Sequence, residues 1–144
     1  MSPRDTLTSL LLLLGLLTAG NGAAQDGRVR LQLGNEEPLW AGQQVTLNLD
    51  LLTNGMSFSG TFFNLPEVEG AFLLQTDSST VKLTEMIGGE SWQVLRYPLA
   101  LYPQAGGPLE IPPLKVRFKT TERFGAEPVA FELESEAVTV DINW

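Results

Sequence analysis

The stretch VTLNLDL, residues 45–51, alternates without exception. Val45, Leu47, Leu49 and Leu51 fall on one side of an extended chain, and Thr46, Asn48 and Asp50 on the other. Successive side chains of a strand point to opposite faces of a sheet, so this pattern predicts a strand with one buried and one wet face. The same spacing recurs outward in both directions. RVRLQL sets Val29, Leu31 and Leu33 against Arg28, Arg30 and Gln32; LKVRFKT sets Leu114, Val116 and Phe118 against Lys115, Arg117 and Lys119. VAFEL offers Val129, Phe131 and Leu133, and AVTVDI offers Val138, Val140 and Ile142. Weaker patterns predict strands near residues 58–63 and 72–75, and two more in STVKLTEM and SWQVLRYPLALY, turned at IGGE.

The stretch YPLALYPQAGGPLEIPPLKVRF, residues 97–118, joins two good strands through prolines and the pair Gly106 and Gly107. Leu95, Tyr97, Leu99 and Leu101 share a face. Pro98 falls on the other and cannot donate to a ladder, which suggests an edge or a bulge. PQAGG predicts a tight corner, and IPP holds the chain extended, because a residue before proline is pushed out of the helical region. About seven to nine short strands with one apolar face each predict an antiparallel, immunoglobulin-like β-sandwich over residues 27–143.

The ends of the sequence differ in kind. A short polar start with Arg4 is followed by TLTSLLLLLGLLTAG and then by the small, polar NGAAQDG. Residues 1–24 therefore predict a secretory signal peptide helix, with Gly22 and Ala24 as the small residues before cleavage between Ala24 and Gln25. The rival expectation is an uncleaved anchor in an inner membrane, against which the apolar run is shorter than the roughly 20 residues of a spanning helix. Export without cysteine suits a periplasmic or other cell-envelope location in a bacterium.

The 144 residues, 43% of them hydrophobic, suffice for one packed domain. The net charge of −8 argues against nucleic acid or an anionic bilayer as the main partner. The chain has no histidine and no cysteine. That excludes a Ser-His-Asp triad, a cysteine nucleophile, a histidine or thiolate metal site, a disulfide framework and a lipidated cysteine within this chain. No cofactor is expected.

FNLPEVEGAFLLQ, residues 63–75, and GGESWQVLRYPLALYPQAGGPLEIPPLKVRF, residues 88–118, resemble the BatD, or oxygen-tolerance, family of bacterial envelope proteins. The similarity includes AGQQVTL before the clean strand, and Tyr97, Leu99, Leu101, Pro103, Gly107, Ile111, Pro112 and Pro113 around the corner. The resemblance spans most of residues 28–142. It implies a non-catalytic, envelope-located protein that works with AAA+ ATPases and von Willebrand A-domain proteins in stress tolerance. Chains of that family usually carry several such domains and a later transmembrane helix.

Candidate sites are few. Ser79 and Lys82 spell S-x-x-K, but on a strand this spacing turns the two side chains apart. Glu132, Glu134 and Glu136 would line one strand face and offer oxygen ligands to a hard cation, or pair across strands. The ridge of Lys115, Arg117 and Lys119 would meet an acidic partner, or serve as an ordinary polar strand face. If 115–134 is a simple hairpin, Phe131 lies opposite Phe118, Leu133 opposite Val116, Glu132 opposite Arg117 and Glu134 opposite Lys115. Trp40 and Trp144 are candidate contact aromatics or a sugar platform, whereas Trp92 and Tyr97 are assigned to structure. Three functions follow in order: an exported module that binds an envelope protein, a carbohydrate-binding module on the same fold, and a carboxylate-pair glycosidase. The last is disfavoured because about 115 residues rarely frame a deep cleft in addition to a core.

Overall fold

The computed structural model describes residues 25–76 and 79–144. The predicted signal peptide, residues 1–24, lies outside the described residues. Among the described residues there are eleven strands: β1 (Gly27–Leu33), β2 (Leu39–Trp40), β3 (Val45–Thr53), β4 (Ser57–Phe63), β5 (Ala71–Gln75), β6 (Val81–Ile87), β7 (Glu90–Pro103), β8 (Gly107–Ile111), β9 (Lys115–Thr121), β10 (Val129–Glu134) and β11 (Val138–Asn143). The fold is the expected antiparallel β-sandwich. Its strand count exceeds the expectation because β2 is only two residues long and because the proline-flanked segment after the corner is itself a strand, β8.

One layer has the order β1-β3-β7-β5, with β6 also pairing β7. The facing layer comes in two pieces, β10-β9-β4 and β2-β11-β8. In chain order this is the immunoglobulin arrangement, four strands ABED opposite CFG. A short parallel pairing of β2 with β11 is added to it. The corner at 103–107 carries the chain from β7 in one layer to β8 in the other. Gly107, at φ 109°, takes a backbone angle that other residues resist.

The second layer is divided for a reason that can be read residue by residue. β8 and β9 are one line of chain interrupted at Pro112 and Pro113, which have no N–H to offer a ladder. Facing the interruption, the Leu114 N–H donates to the buried Ser135 Oγ at 2.9 Å, and the Ser135 N–H donates to the Leu114 carbonyl at 2.9 Å. Ser135 thus closes the gap that the prolines open. Ser135→Ala is expected to destabilise the domain by about 1–3 kcal/mol, because it strands a buried N–H. Equilibrium denaturation checks this, and a loss below about 0.5 kcal/mol would show that the gap is satisfied in another way.

The core lies between the layers. Val45, Leu47, Leu49 and Leu51 of β3 are fully buried against Leu99 and Leu101 of β7 and against Ile111, Leu114, Val116 and Phe118 of the second layer. Tyr97 packs edge-on against Phe63 at 5.3 Å between ring centres. A smaller cluster of Leu52, Trp92 and Val94, with Ile87 packed on it, covers part of the opposite, outer face of the first layer.

Pro98 is at neither a bulge nor an edge: it pairs with Asn48 inside the central strand β7. Its carbonyl accepts from Thr76 Oγ1 at 3.3 Å, on the side of β5 and β6. The missing N–H therefore faces the break between those two strands. β5 pairs β7 from Pro103 to Leu99, and β6 pairs it from Arg96 to Glu90. The proline is tolerated centrally because no strand needs its donor there.

Candidate partner-binding surface

The outer face of the first layer is built from residues of even number in β7 and their cross-strand partners. Its centre is ionic. Arg30 of β1, Asp50 of β3 and Arg96 of β7 are in register as one row. Asp50 is fully buried, and its carboxylate accepts from Arg30 Nε and Nη2 at 3.1 and 2.8 Å and from Arg96 Nε and Nη2 at 2.8 and 3.0 Å. Arg30 also donates to Glu85 of β6, at 3.2 and 3.0 Å. β1 and β6 are separated by two strands, so this reach shows that the sheet curls its β6 end over the outer face. Hydrogen bonds from Arg30, then its charge, hold the Glu85 carboxyl below the usual carboxylate range. Bonding to Glu85 likewise raises the pKa of Arg30, and bonding to Asp50 that of Arg96. Arg28 stacks over Trp92, 4.2 Å from the ring centre.

Beyond this row the same face is apolar and open. Phe72 and Leu74 of β5 stand beside Tyr102 and Ala100, at 60% and 51% exposure. Val81 and Leu83 of β6 stand beside Arg96 and Val94, at 41% and 37%. Four large apolar side chains thus line one flank of β7 with no covering layer among the described residues. Scattered exposed apolar residues need no explanation; here two pairs on one sheet face, on either side of the break at Pro98, make this flank the candidate contact surface.

The basic ridge lies elsewhere, on the outer face of β10-β9-β4. The hairpin register is the expected one: Phe131 pairs Phe118, Glu132 pairs Arg117, Leu133 pairs Val116 and Glu134 pairs Lys115. Lys115 approaches Glu134 at 3.9 Å, both well exposed. Arg117 turns instead to the other side and lies over Phe62 of β4, 5.1 Å from the ring centre. Acidic and aromatic neighbours thus share the ridge, which gives it the features of an ordinary strand face. Arg117→Glu is expected to lower stability by about 1 kcal/mol, from the lost ring contact and the new repulsion by Glu132. Adding Glu132→Arg should restore only the repulsive part. Denaturation of the single and double variants checks this, and a full restoration would show that the Phe62 contact contributes nothing.

The remaining candidates separate. Glu132 and Glu134 face the ridge, while Glu136 lies beyond β10, at a cleft that Arg28 and Arg30 also line. Among the described residues no group of three or more such side chains is placed to hold a metal ion. Ser79 precedes β6, and Lys82 lies within it. Trp40 and Trp144 are exposed, at 47% and 80%, at the end of the sandwich that holds the corner. Trp40 stands in β2 opposite Asn143, and the Trp144 ring lies directly on Gly106, where any Cβ would push it aside. The Gly42 N–H beside them donates to the Pro103 carbonyl at 2.8 Å. The ridge and the tryptophans belong to different three-stranded pieces and form no common site.

Phe72, Leu74, Val81 and Leu83 are absent from the sequence-derived candidates, because an apolar residue in a strand reads as core until the cover over its sheet is known. The available signal is Pro98, which marks the flank where they gather. Among the described residues no helix is long and apolar enough to cross a membrane. No protein-family model matches this chain, and no curated protein matches it.

Proposed function

We propose that this protein is a non-catalytic, exported interaction module that docks another envelope protein on the β5–β6 flank of its first layer. The observation that carries the reading is the open row of Phe72, Leu74, Val81 and Leu83 beside a satisfied ionic network. Interfaces gather apolar side chains away from charged groups, and here the apolar side chains lie on the β5–β6 flank with the ionic row along their border. The resemblance to the oxygen-tolerance family supplies the setting: an envelope stress-tolerance system with AAA+ ATPase and von Willebrand A-domain proteins as the partners to test. Export rests on the N-terminal sequence pattern, with cleavage between Ala24 and Gln25.

The test is recovery of partners from envelope extract by the full chain and by the double variant Phe72→Ser/Leu74→Ser. Both residues are half exposed or more, so the variant should fold. The reading requires a discrete protein that the parent retains and the variant loses. Retention of no specific protein by the parent would count against it.

Carbohydrate binding is the second reading, favoured by the exposure of Trp40 and Trp144 at one end of the sandwich. Quenching or shift of tryptophan emission by oligosaccharides, lost in Trp144→Ala, would support it. A glycan array without signal would remove it.

A further inference from the structure

The edge of β6 differs from every other strand edge of the described sandwich. The β4 edge is bent by a bulge between Ser59 and Phe62, with Gly60 at φ 62°. The β5 edge is short, and its first outward donor is taken up, because the Ala71 N–H donates to the Val68 carbonyl at 3.3 Å. β8 carries Pro108 and runs into Pro112. β1 and β10 close on each other, with Gly27 seated on the Phe131 ring. β2 has only two residues. These are the devices by which sheets avoid pairing with other chains. β6 has no such backbone device: it is seven residues of regular ladder with no proline, glycine or bulge, and among the described residues it pairs with β7 alone. Its one guard is the charge of Lys82, which a strand bearing a carboxylate would offset.

The direction of its free groups follows from β7. The Gln104 N–H donates to Gly70, and the Pro98 carbonyl accepts from Thr76, both on the β5–β6 side, whereas the Pro103 carbonyl accepts from Gly42 on the β3 side. Even-numbered residues of β7 therefore turn their backbone groups toward β6. Their partners Val81, Leu83 and Glu85 bond inward, and the N–H and C=O groups of Lys82, Thr84 and Met86 point outward. The side chains of these three are exposed as well.

We propose that β6 accepts an extended strand from a different polypeptide, one with apolar residues beside Val81 and Leu83 and a carboxylate beside Lys82. This deepens the proposed function and rests on it. Main-chain bonds to Lys82, Thr84 and Met86 supply the attachment, and alternate side chains supply the selectivity. Lys82 has no ion-pair partner among the described residues, whereas Glu85 is held by Arg30. A second copy of this chain does not fit. Lys82 and Glu85 point to opposite faces of β6, so pairing of two β6 strands with their outer faces aligned never sets lysine opposite glutamate. Each copy also carries a net charge of −8.

The probe is a synthetic peptide of alternating valine and threonine with one glutamate on the threonine face, compared with the same peptide carrying lysine there. Hydrogen exchange on the full chain is the readout. The glutamate peptide should slow exchange of the Lys82, Thr84 and Met86 amides by roughly tenfold or more, and leave Val81, Leu83 and Glu85 unchanged. The lysine peptide should bind several-fold more weakly. Thr84→Pro removes one outward donor and no ladder donor, so it should keep the fold and lose the peptide. Absent protection, equal binding of both peptides, or protection caused by self-association would overturn the proposal. If Thr84→Pro still retains the envelope partner while Phe72→Ser/Leu74→Ser loses it, docking on the sheet face stands and strand addition falls.

Discussion

Phe118→Ala is expected to destabilise the sandwich by about 3–5 kcal/mol, the range for removal of a buried aromatic ring. Phe118 is fully buried on β9, between the Phe131 ring at 5.5 Å and the Phe58 ring at 5.9 Å. Those rings come from the strands on either side, so one truncation opens a void that three strands share. The hairpin register gives the change a second consequence. A slip of one residue between β9 and β10 would turn Phe131 out of the core, and the Phe118–Phe131 contact opposes it. Chemical denaturation should show a lower midpoint with an unchanged slope. A loss below about 1 kcal/mol would mean that the second layer does not pack on this residue.

Asp50→Asn is expected to destabilise by about 3 kcal/mol, at the lower end of the range for breaking a buried ion pair. Asp50 is fully buried and compensates two guanidiniums that remain about one quarter exposed, which lets water recover part of the loss. The amide keeps the shape and removes the charge, so Arg96 loses its carboxylate while Arg30 keeps only Glu85. If the orphaned charge of Arg96 and its repulsion with Arg30 cause the loss, then Arg30→Met/Asp50→Leu/Arg96→Met, which frees only the part-exposed Glu85, should be more stable than Asp50→Asn alone. A triple variant no better than the single one would assign the effect to packing or to the hydrogen-bond geometry instead.

The two-layer architecture was legible because most core strands alternate cleanly, with Val45 to Leu51 as the clearest case and β4 and β5 as the weakest. The β9–β10 pairing was legible in its parity, since Phe118, Val116, Phe131 and Leu133 must all face inward, and the turn signal at Phe124 and Gly125 centred it although seven residues, 122–128, join the strands. What escaped the sequence depends on neighbours distant in the chain. Arg30, Asp50 and Arg96 each occupy a wet-face position, and only the register of three strands makes them one network. Trp92 and Val94 lie opposite the main core, where alternation marks a polar face, and are buried because β6 curls over them. Phe72, Leu74, Val81 and Leu83 carry the reverse mismatch: apolar side chains on a face that no described residue layer covers. The missing donor of Pro98 points, in the sequence, to an edge or a bulge. That donor does face an unpaired gap, but the gap lies between two strands beside β7 rather than at the end of a sheet.

Site-specific photo-crosslinking in intact cells tests the central claim most directly. A photoreactive residue is placed at Leu74, Leu83, Lys119 or Trp144, each in an otherwise unchanged chain. The β5–β6 account predicts one discrete protein adduct from Leu74 and from Leu83, and none from Lys119 or Trp144. Adducts confined to Lys119 or Trp144, with Leu74 and Leu83 silent, would contradict it.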